Sequence, residues 1–179
     1  WQNGVRIIPR PIISDTKKGI ALYEFIAGTR YKYSRLSWKE IDELVSILTV
    51  INNSLPDKVK SKIPQASEAC FSLFQIEKVL DDRYHQLMDT PNAKSLYPDM
   101  KKMLRERFLP LQKELIGKSA KQYQRIGIAY DEELKKGKRI LSPSDFGFHN
   151  CLKRETGEMA VVDFEHFGWD DPAKMMSDF

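Results

Sequence analysis

Residues 141–164 read LSPSDFGFHNCLKRETGEMAVVDF, and the fold turns on what Asp145 does in that stretch. Asn150 follows Asp145 by five residues, and Asp163 follows Asn150 by thirteen. Asp163 closes an apolar run that starts at Met159. Between the two polar landmarks, Glu155-Thr156-Gly157-Glu158 has the composition of a tight turn, so "CLKRETGEMAVV" reads as a β-hairpin. "RILSPS" (139–144) and "MAVVDFEHF" (159–167) read as strands. Aspartate and asparagine are also ordinary turn residues. Taken singly, Asp145 and Asn150 need be nothing more, and Asp163 alone reads as a strand-end aspartate; the joint spacing is what suggests chemistry.

Asp145-Phe146-Gly147 is by its letters a triplet that can hold the magnesium of ATP. In that role an Asp-x-x-x-x-Asn should lie upstream, near residues 127–132. Those positions run from Gly127 to Glu132, and Asp131 is followed five residues on by Lys136 rather than asparagine. That assignment fails. With Asp145 itself at the head of the pattern, Asn150 and Asp163 fall where two metal ligands are needed. Phosphoryl transfer requires a carboxylate that orients the acceptor hydroxyl and takes its proton, and oxygen ligands that seat magnesium on the phosphates. Asp145 would serve the acceptor, and Asn150 and Asp163 the metal. A hairpin between them returns Asp163 to the neighbourhood of Asp145.

Upstream, "VRIIP" (5–9) and "GIALYEFIAG" (19–28) read as two strands joined through "SDTKKG". Residues 35–137 read as helical. Ser37-Trp38-Lys39-Glu40 fits a capping box, with Ile41, Leu44, Val45 and Leu48 following at helical spacing. A second helix is expected over 66–88, carrying Phe71, Phe74, Val79 and Leu87, and a third over 100–136, kinked or split at Pro110 and stopped by Gly137. Trp38, Phe71 and Phe74 read as core residues. Pro172 opens a last helix, which Asp171 can cap.

With these pieces in place, the stretch 139–179 resembles the C-terminal half of aminoglycoside phosphotransferase-like kinases, a group akin to choline kinases. Their pattern is roughly H-G-D-x-x-x-x-N, then a strand ending I-D-[FW]-[ED], then G-D-P-x-x-D-L-A. Asp145, Asn150, Asp163, Phe164, Glu165, Asp171 and Pro172 fall on it, and Asp178 is taken for its last aspartate. "GIALYEFIAG" is similar to the family's hinge strand, and the resemblance implies that backbone groups of Glu24, Phe25 and Ile26 meet adenine. It further implies an α+β, protein kinase-like fold. Residues 1–30 would be a remnant of the strand-rich N-lobe with its hinge. Residues 31–179 would be a mostly helical C-lobe, with a catalytic loop at 142–150 and a metal-binding strand end at 159–165. The implied activity is ATP- and Mg2+-dependent phosphorylation of a hydroxyl on a small molecule such as an aminoglycoside, a choline-like alcohol or a sugar. Glu165 would be a second metal or substrate contact, or equally a solvated carboxylate, and Asp178 a structural brace of the catalytic loop. The family histidine two residues before the aspartate is Pro143 here, and His149 has no partner that sequence can place.

Family members also carry a glycine-rich strand pair and a lysine ahead of the hinge, and the chain starts at Trp1 without them. It therefore reads as a fragment, expected to bind ATP poorly and to associate through its unpaired strands. A non-catalytic pseudokinase or interaction module is the alternative. The net charge of +4 raises nucleic-acid binding, but basic residues alternate with acidic ones, as in "DMKKMLRERF", which suits solvated helix faces better. No apolar run is long enough to span a bilayer and no signal peptide is visible, which points to a cytoplasmic protein with no membrane partner. The two cysteines, Cys70 and Cys151, lack metal-ligand spacing and agree with a reducing compartment.

Overall fold

The computed structural model describes residues 6–90 and 97–178. The chain divides into two compact units, one formed by Trp1–Ala69 with Gly137–Phe179 and the other by Cys70–Lys136.

In the first unit, β1 (Pro11–Asp15) and β2 (Ile20–Tyr23) form an antiparallel hairpin. Asp15 Oδ1 accepts from the amides of Lys17 and Lys18, and Gly19 takes the left-handed φ of +64° that closes the turn. The hairpin begins later than the sequence suggests. "VRIIP" is not its first strand: residues 6–9 run without strand pairing, and Ile7 instead offers its carbonyl to the Val161 amide at 2.7 Å. The long hinge strand also divides. Its end, β3 (Gly28–Arg30), leaves the hairpin and joins a second sheet in the order β3-β5-β6, with β5 at Cys151–Arg154 and β6 at Met159–Val161. The β5–β6 turn falls at Glu155–Gly157 as expected, with Gly157 at φ +87°.

"MAVVDFEHF" is not one strand. β6 stops at Val161, Asp163 turns into the left-handed region at φ +66°, and a separate strand, β7 (Gly168–Asp170), pairs with β4 (Ile140–Ser142). An aspartate tolerates that conformation better than the β-branched residues before it, so the backbone turns away at Asp163.

Helix α1 (Trp38–Ser54) buries Leu44, Ile47 and Ile51 against Leu141, Phe146, Phe148, Cys151, Met159 and Val161. Each such side chain contributes roughly 1.5–3 kcal/mol by leaving water. Asn52 fixes the helix against β4, since its amide donates to the Leu141 carbonyl and its oxygen accepts from the Leu141 amide, at 2.9 and 2.8 Å. At the helix start the Glu40 carboxylate accepts from the amide and the hydroxyl of Ser37. Trp38, expected in the core, is 80% exposed. It occupies the first helical position, which the amphipathic stripe leaves outside. After α2 (Asp57–Lys60), the segment 64–66 pairs with β7: Ala66 donates to the Trp169 carbonyl and Trp169 to that of Pro64.

In the second unit, α3 spans Leu73–Asp89, with Ser72 Oγ accepting from Gln75 N as its N-cap. The helix therefore starts seven residues later than Ala66, where a capping serine makes the turn possible. Phe71 is buried, but Phe74 is 49% exposed. α4 (Tyr97–Met103) runs into a π-helical turn at Leu104–Phe108 and then α5 (Leu109–Arg125). Pro110 thus follows directly on the π-helical turn, whose wider ring accommodates a residue that has no N–H to donate. The helix ends at Arg125 rather than near residue 136. The stop is Gly127, at φ +72°, not Gly137. α6 (Pro172–Asp178) returns to the first unit and buries Met175 in its core.

Candidate active site

β4 delivers the chain into the loop 143–150. Ser142 is fully buried, and its hydroxyl oxygen accepts from the Ser144 amide at 2.9 Å. That short bond holds Ser144 at φ +71°, a conformation a glycine would adopt freely. The next residue, Asp145, turns outward between two buried neighbours, Ser144 and Phe146. Phe146 and Phe148 anchor the loop in the core, so the alternation of buried and exposed side chains leaves Asp145 and His149 facing solvent.

Both carboxylate oxygens of Asp145 have partners. His149 Nε2 lies 3.0 Å from Oδ1, and Asn150 Nδ2 donates to Oδ2 at 3.2 Å and to the Asp145 carbonyl at 3.0 Å. The sheet then brings in Asp163. Cys151 faces Val161, and the Val162 amide donates to the Asn150 carbonyl at 2.8 Å, which sets Asp163 immediately beyond the Asn150 pairing. The Asp163 backbone therefore lies beside that of Asn150, whose side chain bonds to Asp145. Among the described residues no three His, Cys, Asp or Glu side chains gather into a metal cluster. Asn150 and Asp163 carry oxygen donors of the kind magnesium takes, an ion typically held by one or two protein ligands plus phosphate oxygens and water.

Two cavities adjoin this strand end. One, of about 510 Å³, is mostly apolar, with Tyr23, Ile51, Leu55 and Phe164 in its walls and Asp163 and Glu165 among its lining. The other, of about 300 Å³, is lined by Glu68, Ser144, Asp145 and His166. Ser67 Oγ lies 2.5 Å from His166 Nδ1, and His166 Nε2 is 3.3 Å from Glu165 Oε1. Glu165 is thus exposed and engaged with its neighbour. Gly168 makes this corner possible, because a Cβ there would fall 2.6 Å from the Pro64 carbonyl oxygen.

The remaining expected residues are dispersed. The Glu24 amide donates to the Arg10 carbonyl at 2.9 Å, and its carboxylate meets Arg10 and Arg154 at 3.9 and 3.4 Å. Glu24 therefore ties the hinge to β5 in the way a structural ion pair does. Phe25 is 92% exposed and Ile26 is buried. Asp171 caps α6, with Oδ1 accepting from Ala173 and Lys174 amides at 2.6 and 3.3 Å. Three residues after Pro172, where the motif pattern carries its last aspartate, stands the buried Met175. Asp178 ends α6 three residues later, so it is out of step with that pattern, and its side chain lies outside the described residues.

Glu68 and His166 escaped sequence reasoning, since the 64–68 loop carries no motif and reaches the site only through its pairing with β7. His149 was visible inside the loop, but its partner was not. Its i+4 offset from Asp145 is the signal that a helix-like turn could bring them together.

The fold is α+β and protein kinase-like, of the aminoglycoside phosphotransferase type. Two solved structures of spectinomycin phosphotransferase APH(9)-Ia are similar to it, one in complex with ADP and spectinomycin and one bound to AMP. Their TM-scores are 0.62 and 0.64, at 15% sequence identity, over 97% and 98% of this chain. The chain spans about half of those structures, 52% and 55% of their lengths. No protein-family model matches the sequence, and no curated protein matches it. No helix among the described residues is long and apolar enough to cross a membrane.

Proposed function

We propose that the whole protein is an ATP- and Mg2+-dependent phosphotransferase acting on a hydroxyl of a small molecule. The observation that supports this reading is that Asn150 bonds to Asp145 while the β5–β6 register and the Val162–Asn150 hydrogen bond set the Asp163 backbone beside Asn150. Asp145 orients the acceptor hydroxyl and takes its proton as the oxygen bonds to the γ-phosphorus and the bond to the ADP oxygen breaks. Asn150 and Asp163 hold the magnesium, which when bound neutralises charge on the phosphates. The Asp163 backbone takes a positive φ directly after β6, a conformation that suits a residue kept for a functional reason.

The smaller cavity, lined by Glu68, Ser144, Asp145 and His166, is our choice for the acceptor, because it contains the proton-accepting carboxylate. Two carboxylates in its lining favour an acceptor with positive charge near its hydroxyl. At the hinge the Glu24 amide is already used within the sheet. Phe25, 92% exposed in the unpaired stretch between β2 and β3, is the better candidate to meet adenine with its backbone.

The test offers γ-labelled MgATP to the whole protein with a panel of amino alcohols, spectinomycin and neutral polyols. Transfer to a hydroxyl of at least one compound, abolished by chelating the metal, supports the reading. Nucleotide binding with no transfer to any acceptor or to water would favour a non-catalytic module instead.

A further inference from the structure

We infer that His149 is a positioning residue for Asp145, one half of a clamp whose other half is Asn150. The inference rests on the phosphotransferase reading above and assigns it a residue that the motif pattern does not contain.

The geometry has three parts. First, His149 Nε2 and Asn150 Nδ2 engage different oxygens of the Asp145 carboxylate, at 3.0 and 3.2 Å. A carboxylate on a surface loop rotates freely about its last side-chain bond, and two donors on opposite oxygens stop that rotation. Each oxygen keeps a second acceptor direction for a hydroxyl. Second, the imidazole is itself held. Its Nδ1 lies 3.5 Å from the Tyr33 hydroxyl, and Tyr31 packs on Phe148, the residue before it, with ring centroids 5.4 Å apart. An ionised Asp145 carboxylate can only accept, so Nε2 is the nitrogen that donates to it. Third, the ring lies against Gly147. A Cβ on Gly147 would meet His149 Nδ1 and Cε1 at 2.9 Å. The Gly147 backbone is extended, at φ 174°, and open to any residue. A side chain at position 147 would therefore displace the imidazole from its place. With Pro143 where the motif pattern has its histidine, His149 supplies an imidazole from the other end of the loop.

No change of charge is invoked. His149 acts by fixing where the Asp145 oxygens point, and displacement of a positioned group typically costs up to about a hundredfold in rate.

The test has a spectroscopic and a kinetic arm. The chain has three histidines, His85, His149 and His166, so the ring nitrogens of His149 are assigned by comparison with His149→Gln. The expected spectrum is a ring protonated at Nε2 whose Nε2 resonance shifts in Asp145→Asn. In MgATP turnover by the whole protein, with water or an accepted alcohol as acceptor, His149→Ala is expected to lower kcat about ten- to a hundredfold. Its KM for MgATP should stay unchanged. His149→Gln, whose amide nitrogen can sit where Nε2 does, should recover part of the loss, and Gly147→Ala should reproduce it. An Nδ1-protonated ring indifferent to Asp145→Asn overturns the inference. So does an inactive Asp145→Asn beside a fully active His149→Ala, which leaves the phosphotransferase reading standing. If Asp145→Asn itself turns over normally, that reading falls and takes the inference with it.

Discussion

Asp163 combines a backbone and a side-chain demand. Its φ of +66° disfavours alanine, so Asp163→Ala mixes strain with loss of the proposed metal ligand, whereas Asp163→Gly keeps the backbone and removes only the carboxylate. Asp163→Gly is expected to fold with stability equal to or above wild type and to bind MgATP more weakly than metal-free ATP analogues predict. Calorimetric titration at several magnesium concentrations reads this, and an unchanged magnesium dependence would remove Asp163 from the metal. Cys151 gives a second residue-level expectation. Burial, with Glu43 adding repulsion, pushes its thiol up to about 12. A thiol raised above its unfolded value stabilises the fold only while protonated, so that contribution is complete below about pH 8.5. It is lost progressively as pH rises toward 12. Cys151 should therefore resist alkylation at pH 8 in the native state and react once the chain is unfolded; rapid native labelling would contradict its burial. The residues of the candidate site were legible in the sequence to the extent that their spacing was covalent. Asp145, Asn150 and Asp163 lie on one continuous loop and hairpin. His166 and Glu68 meet only through pairing between segments about a hundred residues apart, which no local pattern encodes.

At the level of elements, the structure depends on how β7 and the 64–66 segment approach each other. Gly168→Ala would place a methyl carbon 2.6 Å from the Pro64 carbonyl oxygen, against backbone that cannot rotate away. The expected result is a loss of several kcal/mol, in the range of severe core substitutions, together with release of the loop that carries Ser67 and Glu68. Thermal melts compare the variant with wild type, and a melting point unchanged within a degree would contradict the close approach. Helix α1 offers a gentler probe. Hydrogen bonds from the Ser37 backbone and hydroxyl hold the Glu40 carboxyl below its usual value. A depressed carboxylate stabilises above its unfolded pKa, and that stabilisation is lost as pH falls through the folded value. Glu40→Gln should therefore flatten the acid side of the stability profile and have less effect near neutrality. Helices showed in the sequence where caps and stripes agreed, as at Ser37. They misled where they did not: α5 carries helical composition past Arg125, but a left-handed Gly127 ends it. The strand "MAVVDFEHF" misled for a related reason, since its apolar letters continue through a backbone turn that only the aspartate reveals.

For the molecule as a whole, the β1–β2 hairpin presents Ile12, Ile13, Ile20 and Leu22 to solvent. An apolar two-stranded surface of this kind promotes association, so the chain of residues 1–179 is expected to self-associate with rising concentration. Light scattering would show it, and replacing Ile13 and Leu22 by lysine should reduce it; a monomer at all concentrations would contradict the exposure. Fold class was readable from the order of strand, helical and hairpin segments together with the motif spacing. The partition into two compact units was not, because it depends on residues 64–69 and 137–142 coming together around β7. The central claim is that Asp145 is the proton acceptor of a metal-dependent phosphotransferase. The measurement that tests it most directly is the rate of phosphate transfer from MgATP by the whole protein carrying Asp145→Asn, with folding verified by circular dichroism. The account predicts a native spectrum and a rate about a hundred- to ten-thousandfold below wild type; a native spectrum with an undiminished rate would contradict it.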